Sequence, residues 1–297
     1  MIRQRTLARS LTCTGRGLHS GAAVRMELQP AEPNTGIRFC RTDLPARPLI
    51  VAHPDRVVET KRCTVLGDDN GARVATVEHL MSALRAAGID NAWIGLDGPE
   101  VPRSDGSAKE FFEAIQTAGS VEQAPERSVR TLRAPVWVRE GNRELVALPA
   151  EGFSVSLMTT NDHGHPALTD RLVEYALDPD TYGREIAPSR TIGFVSEVQA
   201  LLAAGLAAGF DIDVQALIER EELIGADVDA VVLVGRERVL TPLRFPDEIA
   251  RHKVLDLIGD IGLCGPLNAH IIGIRSSHRL NALLAKGIAA QTAEVRT

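Results

Sequence analysis

Arg251-His252-Lys253-Val254-Leu255-Asp256-Leu257-Ile258-Gly259-Asp260 separates into two kinds of side chain when wound as an α-helix. Val254, Leu257, Ile258 and Ile261 fall on one face, while His252, Asp256 and Asp260, spaced by four, stack on the other. Gly259 beside them leaves room for a neighbour to approach. An ordinary amphipathic helix whose solvated face carries His and Asp has the same pattern, so the stretch alone leaves both readings open.

The elements after this helix point to the fold. A glycine turn at Cys264-Gly265-Pro266 leads to a strand over 269–274 and a helix opening near Ser276-Ser277-His278. The first half shows the same succession. It has a helix over 77–87, with Thr76 as N-cap and Gly88 as stop, then a strand over 91–96 and a Pro/Gly loop. A helix opened by Asp105-Gly106-Ser107 comes next and runs through Phe111, Phe112 and Ile115. His79 and His252 take matching places in the two copies. The order predicts an internal duplication of fold class α+β: two topologically similar domains, each a mostly antiparallel sheet layered with helices, sharing a cleft between their helices.

Upstream, short alternating segments such as Ala23-Val24-Arg25-Met26-Glu27-Leu28 read as antiparallel strands. The loop Gly15-Arg16-Gly17-Leu18-His19-Ser20-Gly21 allows tight turns, and His19 either faces a cleft or sits exposed on a plain hairpin connection. The polar, aperiodic run over 119–128 marks the boundary between domains at 1–122 and 129–297. Beyond it, 134–138, 144–148 and Phe153–Thr159 read as strands, 195–206 and 212–222 as helices, and 230–234 as a buried strand.

The 297 residues are 44% hydrophobic, enough for two domains of ordinary size. A formal net charge of -6 argues against a general nucleic-acid binder, which needs a basic surface. Cys13, Cys40, Cys63 and Cys264 form no CxxC pair, so neither a zinc ribbon nor a disulfide framework is expected and a reducing cytoplasm fits. No apolar run approaches the roughly 20 residues that span a bilayer, and the residues after Arg3, Arg5 and Arg9 make no hydrophobic signal core. The expectation is a soluble monomer with at most peripheral membrane contact.

Two imidazoles and a carboxylate, His79, His252 and Asp256, make a three-ligand set of the kind that holds catalytic zinc and leaves a fourth position for water. His252 and Asp256, one turn apart, supply two ligands rigidly, and His79 supplies the third from the other domain. Such an ion lowers the pKa of water toward about 7 and polarises a carbonyl, the chemistry of a hydrolase acting on an amide. Glu78, beside a ligand but pointing elsewhere, suits a general base; a carboxylate favoured by the helix dipole is the plain alternative. His278, in the first turn of the last helix, needs a carboxylate to hold a proton there, and Asp260 is available. The pair could then stabilise an oxyanion or protonate a departing amine. A surface histidine and a solvent-facing aspartate are the plain readings of these two.

These residues lie within seven motifs spread over nearly the whole chain: TGRGLHSG at 14–21, TVEHLMSAL at 76–84, GIDN at 88–91, DGSA at 105–108, SRTIGF at 189–194, RHKVLDLIGD at 251–260 and HRLN at 278–281. The set resembles the UDP-3-O-acyl-N-acetylglucosamine deacetylases, zinc amidases of lipid A biosynthesis. The resemblance implies two related α+β domains with a small insert in each. It also implies hydrolysis of the substrate's acetamide to the free amine and acetate, in the cytoplasm. One zinc per chain, with iron(II) as the alternative ion, is implied at His79, His252 and Asp256, with the base at Glu78 and the acid side at His278 and Asp260. Thr191 is implied in oxyanion stabilisation and Lys253 in contact with a substrate phosphate or hydroxyl.

The departures from that pattern cluster on the substrate side. The DFxHP motif reads Asp162-His163-Gly164-His165-Pro166, and Ile192 stands where Phe often follows the motif's Thr. Both positions belong to the implied nucleotide-contacting region, where a lost aromatic face removes stacking worth about 1 to 3 kcal/mol. Lys61 and Arg62 replace apolar residues beside Cys63, at the mouth of the implied acyl passage. The insert over 205–229 is long and charged, and Ser277 stands where Gly is common. Lys253, Cys63, Ile192, His163 and His19 are the expected substrate-binding positions. Two alternatives accompany this reading: a divergent metal-dependent deacetylase of another N-acetylated sugar, and a non-catalytic sugar-binding relative, which would not need Glu78 and His278.

Overall fold

In the computed structural model, which describes residues 2–161, 164–197 and 229–293, one five-stranded sheet pattern occurs twice. The first half runs β1 (Arg3–Leu7), β2 (Leu11–Arg16), β3 (Ala23–Pro30), β4 (Ile37–Arg41), β5 (Leu49–Val51), β6 (Val57–Glu59), β7 (Val65–Gly67) and β8 (Arg73–Val74). It continues through α1 (Glu78–Ala86), β9 (Ala92–Leu96), α2 (Lys109–Ala118) and β10 (Ser120–Glu126). The second half runs β11 (Arg130–Thr131), β12 (Val136–Glu140), β13 (Arg143–Leu148), β14 (Phe153–Thr159), β15 (Arg171–Ala176), β16 (Ile192–Phe194) and β17 (Val232–Val234). It ends with α3 (Glu248–Gly262), β18 (Leu267–Ile274) and α4 (His278–Ala293).

The sheet orders β2-β3-β9-β4-β5 and β12-β13-β18-β14-β15 are the same pattern. In each, the late strand inserts in the middle, antiparallel to β3 or β13 and parallel to β4 or β14. The outer pairings along these two orders are antiparallel, with β11 added in parallel beside β18, so the duplicated α+β architecture read from the element order is borne out. The inserts are also present: β6-β7-β8 forms a small sheet before α1, and β16 pairs with β17 before α3. Alternate residues such as Val24, Met26 and Leu28 on β3, and Phe153, Val155 and Leu157 on β14, are buried, as a sheet covered on one face by helices requires. No helix among the described residues is long and apolar enough to cross a membrane.

The layers meet where α1 crosses α3. A Cβ on Gly259 would lie 2.0 Å from the Glu78 carbonyl oxygen, so only glycine admits the first turn of α1 at this point. The crossing also rules out a solvated face on α3. His252, Asp256 and Asp260 are 2%, 2% and 1% exposed, one face of the helix lying against β14 and β15 and the other toward α1.

Three expectations need correction. Thr76 is not an N-cap: it sits at φ +57, and its hydroxyl donates to Glu100 Oε1 at 2.7 Å while Val77 flanks the helix without a side-chain cap. The run over 119–128 is not an irregular linker but contains β10, paired antiparallel with β1; its alternation is hidden because this two-stranded ribbon is largely exposed. Since β10 carries the first half past residue 122, we propose that the domain boundary falls at 127–129. Finally, His79 stands nine residues before Gly88, and nine residues before Gly265 stands Asp256. With both glycines at positive φ in the equivalent turn, the counterpart of His79 is Asp256, and His252 lies one helical turn earlier. The helices expected over 195–206 and 212–222 lie almost wholly outside the described residues.

Candidate active site

His79 enters from the first turn of α1, and His252 and Asp256 from α3; one potential ligand atom from each lies within 4.8 Å of the other two. The Nδ1–H of His252 donates to the Ser189 carbonyl at 3.1 Å, which leaves the Nε2 lone pair facing Asp256 Oδ1 at 3.3 Å. His79 Nε2 faces the same oxygen at 3.6 Å, the two rings meeting edge to face at 5.1 Å. Burial presses the His252 pKa down to about 4, outweighing Asp256. Burial works against charge on Asp256, but His252, Lys253 and His278 outweigh it and hold the carboxyl well below the usual range. Oδ1 of Asp256 is buried without a hydrogen-bond donor. The His252 lone pair, an Asp256 oxygen with no hydrogen-bond donor and a second imidazole turned on one point make an arrangement that a divalent cation resolves, and the N,N,O set fits one.

The Arg190–Glu248 pair fixes this geometry from behind. Both side chains are buried, with Arg190 Nε donating to Glu248 Oε1 at 2.8 Å, and they anchor the segment that presents Ser189 to His252. The next residue, Thr191, is held by its N–H on the Gly106 carbonyl at 2.8 Å. Gly106 is at φ +80, and a Cβ there would lie 1.8 Å from the Ala230 carbonyl oxygen. The SRTIGF and DGSA motifs are therefore one local structure.

Glu78 is 2% exposed, its Oε2 accepting the Thr64 N–H at 3.0 Å, and burial pushes its pKa up. Across the cluster, His278 Nδ1 donates to Asp260 Oδ2 at 3.1 Å, and its Nε2 lies 4.0 Å from Asp256 Oδ2. Burial opposes charge on His278, yet Asp260, Asp256 and Glu78 together lift its pKa to about 9. The carboxylate that the helix position called for is thus in place. Ser277 caps α4, its Oγ accepting the Leu280 N–H at 3.3 Å.

A cleft of 540 Å³ opens on these groups. Thr191, Ile192 and Lys253 line it, as do Lys61 and Arg62, with Lys253 Nζ donating to Asp256 Oδ2 at 3.0 Å. Two expected substrate contacts are not on this wall. Cys63 turns inward, 5% exposed, where burial pushes its thiol up to about 12. His19 is held by its backbone N–H on Glu100 Oε1 at 3.0 Å, so the glycine loop sends Leu18 to the cleft instead. His163 lies outside the described residues.

Sequence reasoning missed three buried residues. Glu100 accepts from Ser20 N–H at 2.8 Å and from the Thr76 hydroxyl, bracing the glycine loop against the start of α1. Asn281 donates to Asp260 Oδ2 at 2.9 Å, and its place one turn after His278 in HRLN was a usable signal. Thr64 donates its hydroxyl to Asp260 Oδ1 at 2.5 Å, and no motif pointed to it.

The family model described as UDP-3-O-acyl N-acetylglycosamine deacetylase matches residues 4–224 and 208–290. A UDP-3-O-acyl-N-acetylglucosamine deacetylase of Acidithiobacillus ferrooxidans is 44% identical over 294 residues, covering 97% of this chain and 90% of the relative. Proteins of the same name from Anaeromyxobacter dehalogenans and Myxococcus xanthus are each 40% identical. They cover 99% and 96% of this chain and 89% and 86% of their own lengths.

Proposed function

Because the chain belongs to the UDP-3-O-acyl N-acetylglycosamine deacetylase family, we propose that its cleft takes UDP-3-O-acyl-N-acetylglucosamine and that six buried side chains divide the work on the acetamide. The chain is an amide hydrolase: water adds to the acetamide carbonyl, the C–N bond breaks, and acetate and the free amine of a lipid A precursor result. The assignment is supported above all by one juxtaposition: a three-donor cluster drawn from both halves, with Glu78 and His278, itself paired with Asp260, lining the same cleft.

His79, His252 and Asp256 hold the metal, which we assign as zinc on the borderline-soft character of an N,N,O set, with iron(II) the alternative that metal analysis separates. When bound, the cation supplies Lewis acidity toward the carbonyl and acidifies water. Glu78, its pKa raised by burial, takes a proton from the attacking water. His278, held protonated by Asp260 on Nδ1, offers Nε2–H first to the developing oxyanion beside the Thr191 hydroxyl and then to the departing nitrogen. Lys253 spends one N–H on Asp256 and keeps two for a substrate hydroxyl or phosphate. Lys61, Arg62, Arg143 and Arg279 outnumber Glu140 and Glu197 on the outer wall, a balance that suits the diphosphate of a nucleotide-linked sugar. We place the reaction in the cytoplasm, in keeping with four free thiols.

The test is acetate release from this substrate by the zinc-loaded protein and by Glu78→Gln and His278→Gln. Each variant should lose on the order of 10²–10⁴ in kcat while keeping its metal. Full activity in either variant removes that residue's role, and no release by the wild type removes the substrate.

A further inference from the structure

Thr64 is 0% exposed, immediately before β7 in the first insert, and bonds leave it toward separate elements. Its N–H donates to Glu78 Oε2 at 3.0 Å, and its carbonyl accepts the Val77 N–H at 3.3 Å at the head of α1. Its hydroxyl donates to Asp260 Oδ1 at 2.5 Å on α3 and lies 3.4 Å from His278 Nδ1 on α4. Asp260 turns its other oxygen to His278 Nδ1 at 3.1 Å and to Asn281 Nδ2 at 2.9 Å.

We propose that Thr64 is a positioning residue that ties the base side and the acid side of the cleft to one rigid point, orienting His278 through Asp260. The inference rests on the roles given above to Glu78 and His278. The reasoning is one of satisfied atoms. Oδ2 of Asp260 serves two donors, and the Thr64 hydroxyl is what satisfies Oδ1, in surroundings where Asp260 is 1% exposed. Without the hydroxyl, the carboxylate rotates to recover a donor and takes the imidazole it orients along with it. The N–H of the same residue fixes the Glu78 carboxylate, so the separation of base and acid is set by a single threonine rather than by two independent supports. Branching at Cβ restricts χ1 of Thr64, and three of its polar atoms are engaged at once, which holds the residue to that task.

The experiment compares zinc-loaded wild type with Thr64→Val, Thr64→Ser, Asp260→Asn and the double variant Thr64→Val/Asp260→Asn. Loss of the hydroxyl in Thr64→Val should lower kcat by about 10- to 100-fold, with KM within about threefold and zinc content unchanged; Thr64→Ser should stay within about threefold of wild type. Because the effect travels through Asp260, the valine should cost less than about threefold in the Asp260→Asn background, whereas a packing defect would cost its full factor there. The Nδ1–H resonance of His278, identified by its loss in His278→Gln, should persist in Thr64→Ser and move or broaden in Thr64→Val. Wild-type kcat in Thr64→Val, a fully multiplicative double variant, or an unmoved resonance overturns the inference. If the wild type releases no acetate, the reaction assignment falls and the resonance alone decides the role of Thr64. Should Thr64→Val fail to fold, Thr64→Ala, which brings no methyl group against the carboxylate, is read by the same criteria.

Discussion

His252 and His278 both point Nε2 at Asp256, at 3.3 and 4.0 Å, yet the protein drives them in opposite directions. Burial takes His252 to about 4, while Asp260 and its neighbours, overcoming burial, take His278 to about 9, against an ordinary 6.5. The signs give a prediction for the metal-stripped chain. Below pH 6.5 the unfolded chain binds a proton on residue 252 that the folded chain refuses, so stability falls from 6.5 toward 4. The contribution of His278 is complete below 6.5 and is lost as pH rises through 9. Each limb is worth on the order of 3 kcal/mol, so thermal unfolding should peak near neutral pH. His278→Gln should flatten the alkaline limb and leave the acid limb alone; an unchanged alkaline limb would contradict the raised His278.

At the level of elements, the decisive contact is α1 on α3, and Gly259 sets its distance. A methyl group there would meet the Glu78 carbonyl oxygen at 2.0 Å and its carbon at 2.7 Å, backbone atoms that cannot swing aside. Gly259→Ala should therefore part the helices, costing about 1–3 kcal/mol of stability, and should weaken zinc binding at the proposed site more than tenfold as His79 withdraws from His252 and Asp256. Gly262→Ala on the same helix is the control, since its nearest neighbours stand at 3.6 Å and helix propensity favours alanine. Unfolding curves and zinc titrations of the pair decide; equal behaviour would mean that the crossing is more compliant than its geometry indicates.

Across the whole molecule, the proposed metal site joins the halves of a duplicated chain, drawing one imidazole from the first and an imidazole and a carboxylate from the second. On that assignment, metal binding and docking of the halves should be linked. Chelation should lower the melting temperature by the equivalent of about 4 kcal/mol where free zinc had stood a thousandfold above its Kd. His79→Ala should remove most of that difference, because the remaining pair sits on one helix and bridges nothing. Calorimetry with and without chelator checks this, and matching melting temperatures in the wild type would refute the linkage.

Local order along the chain sufficed for much of this protein. Hydrophobic period and glycine turns exposed the repeated helix–strand–helix succession, and the spacing of His252, Asp256 and Asp260 placed them on one helix face. Glu78, His79 and His278 were legible because each stands in the first turn of such a helix. Thr76 was misread, since its positive φ answers to Glu100, and β10 was missed because an exposed ribbon carries little alternation. Thr64 and Glu100 were invisible for a deeper reason: Thr64 acts on Asp260 across 196 positions of sequence, and hydrogen bonds over such separations leave no periodic trace. That the two helix faces meet at all was decided by the tertiary structure, through a glycine that lets one backbone rest on another and buried donors that have no water to turn to.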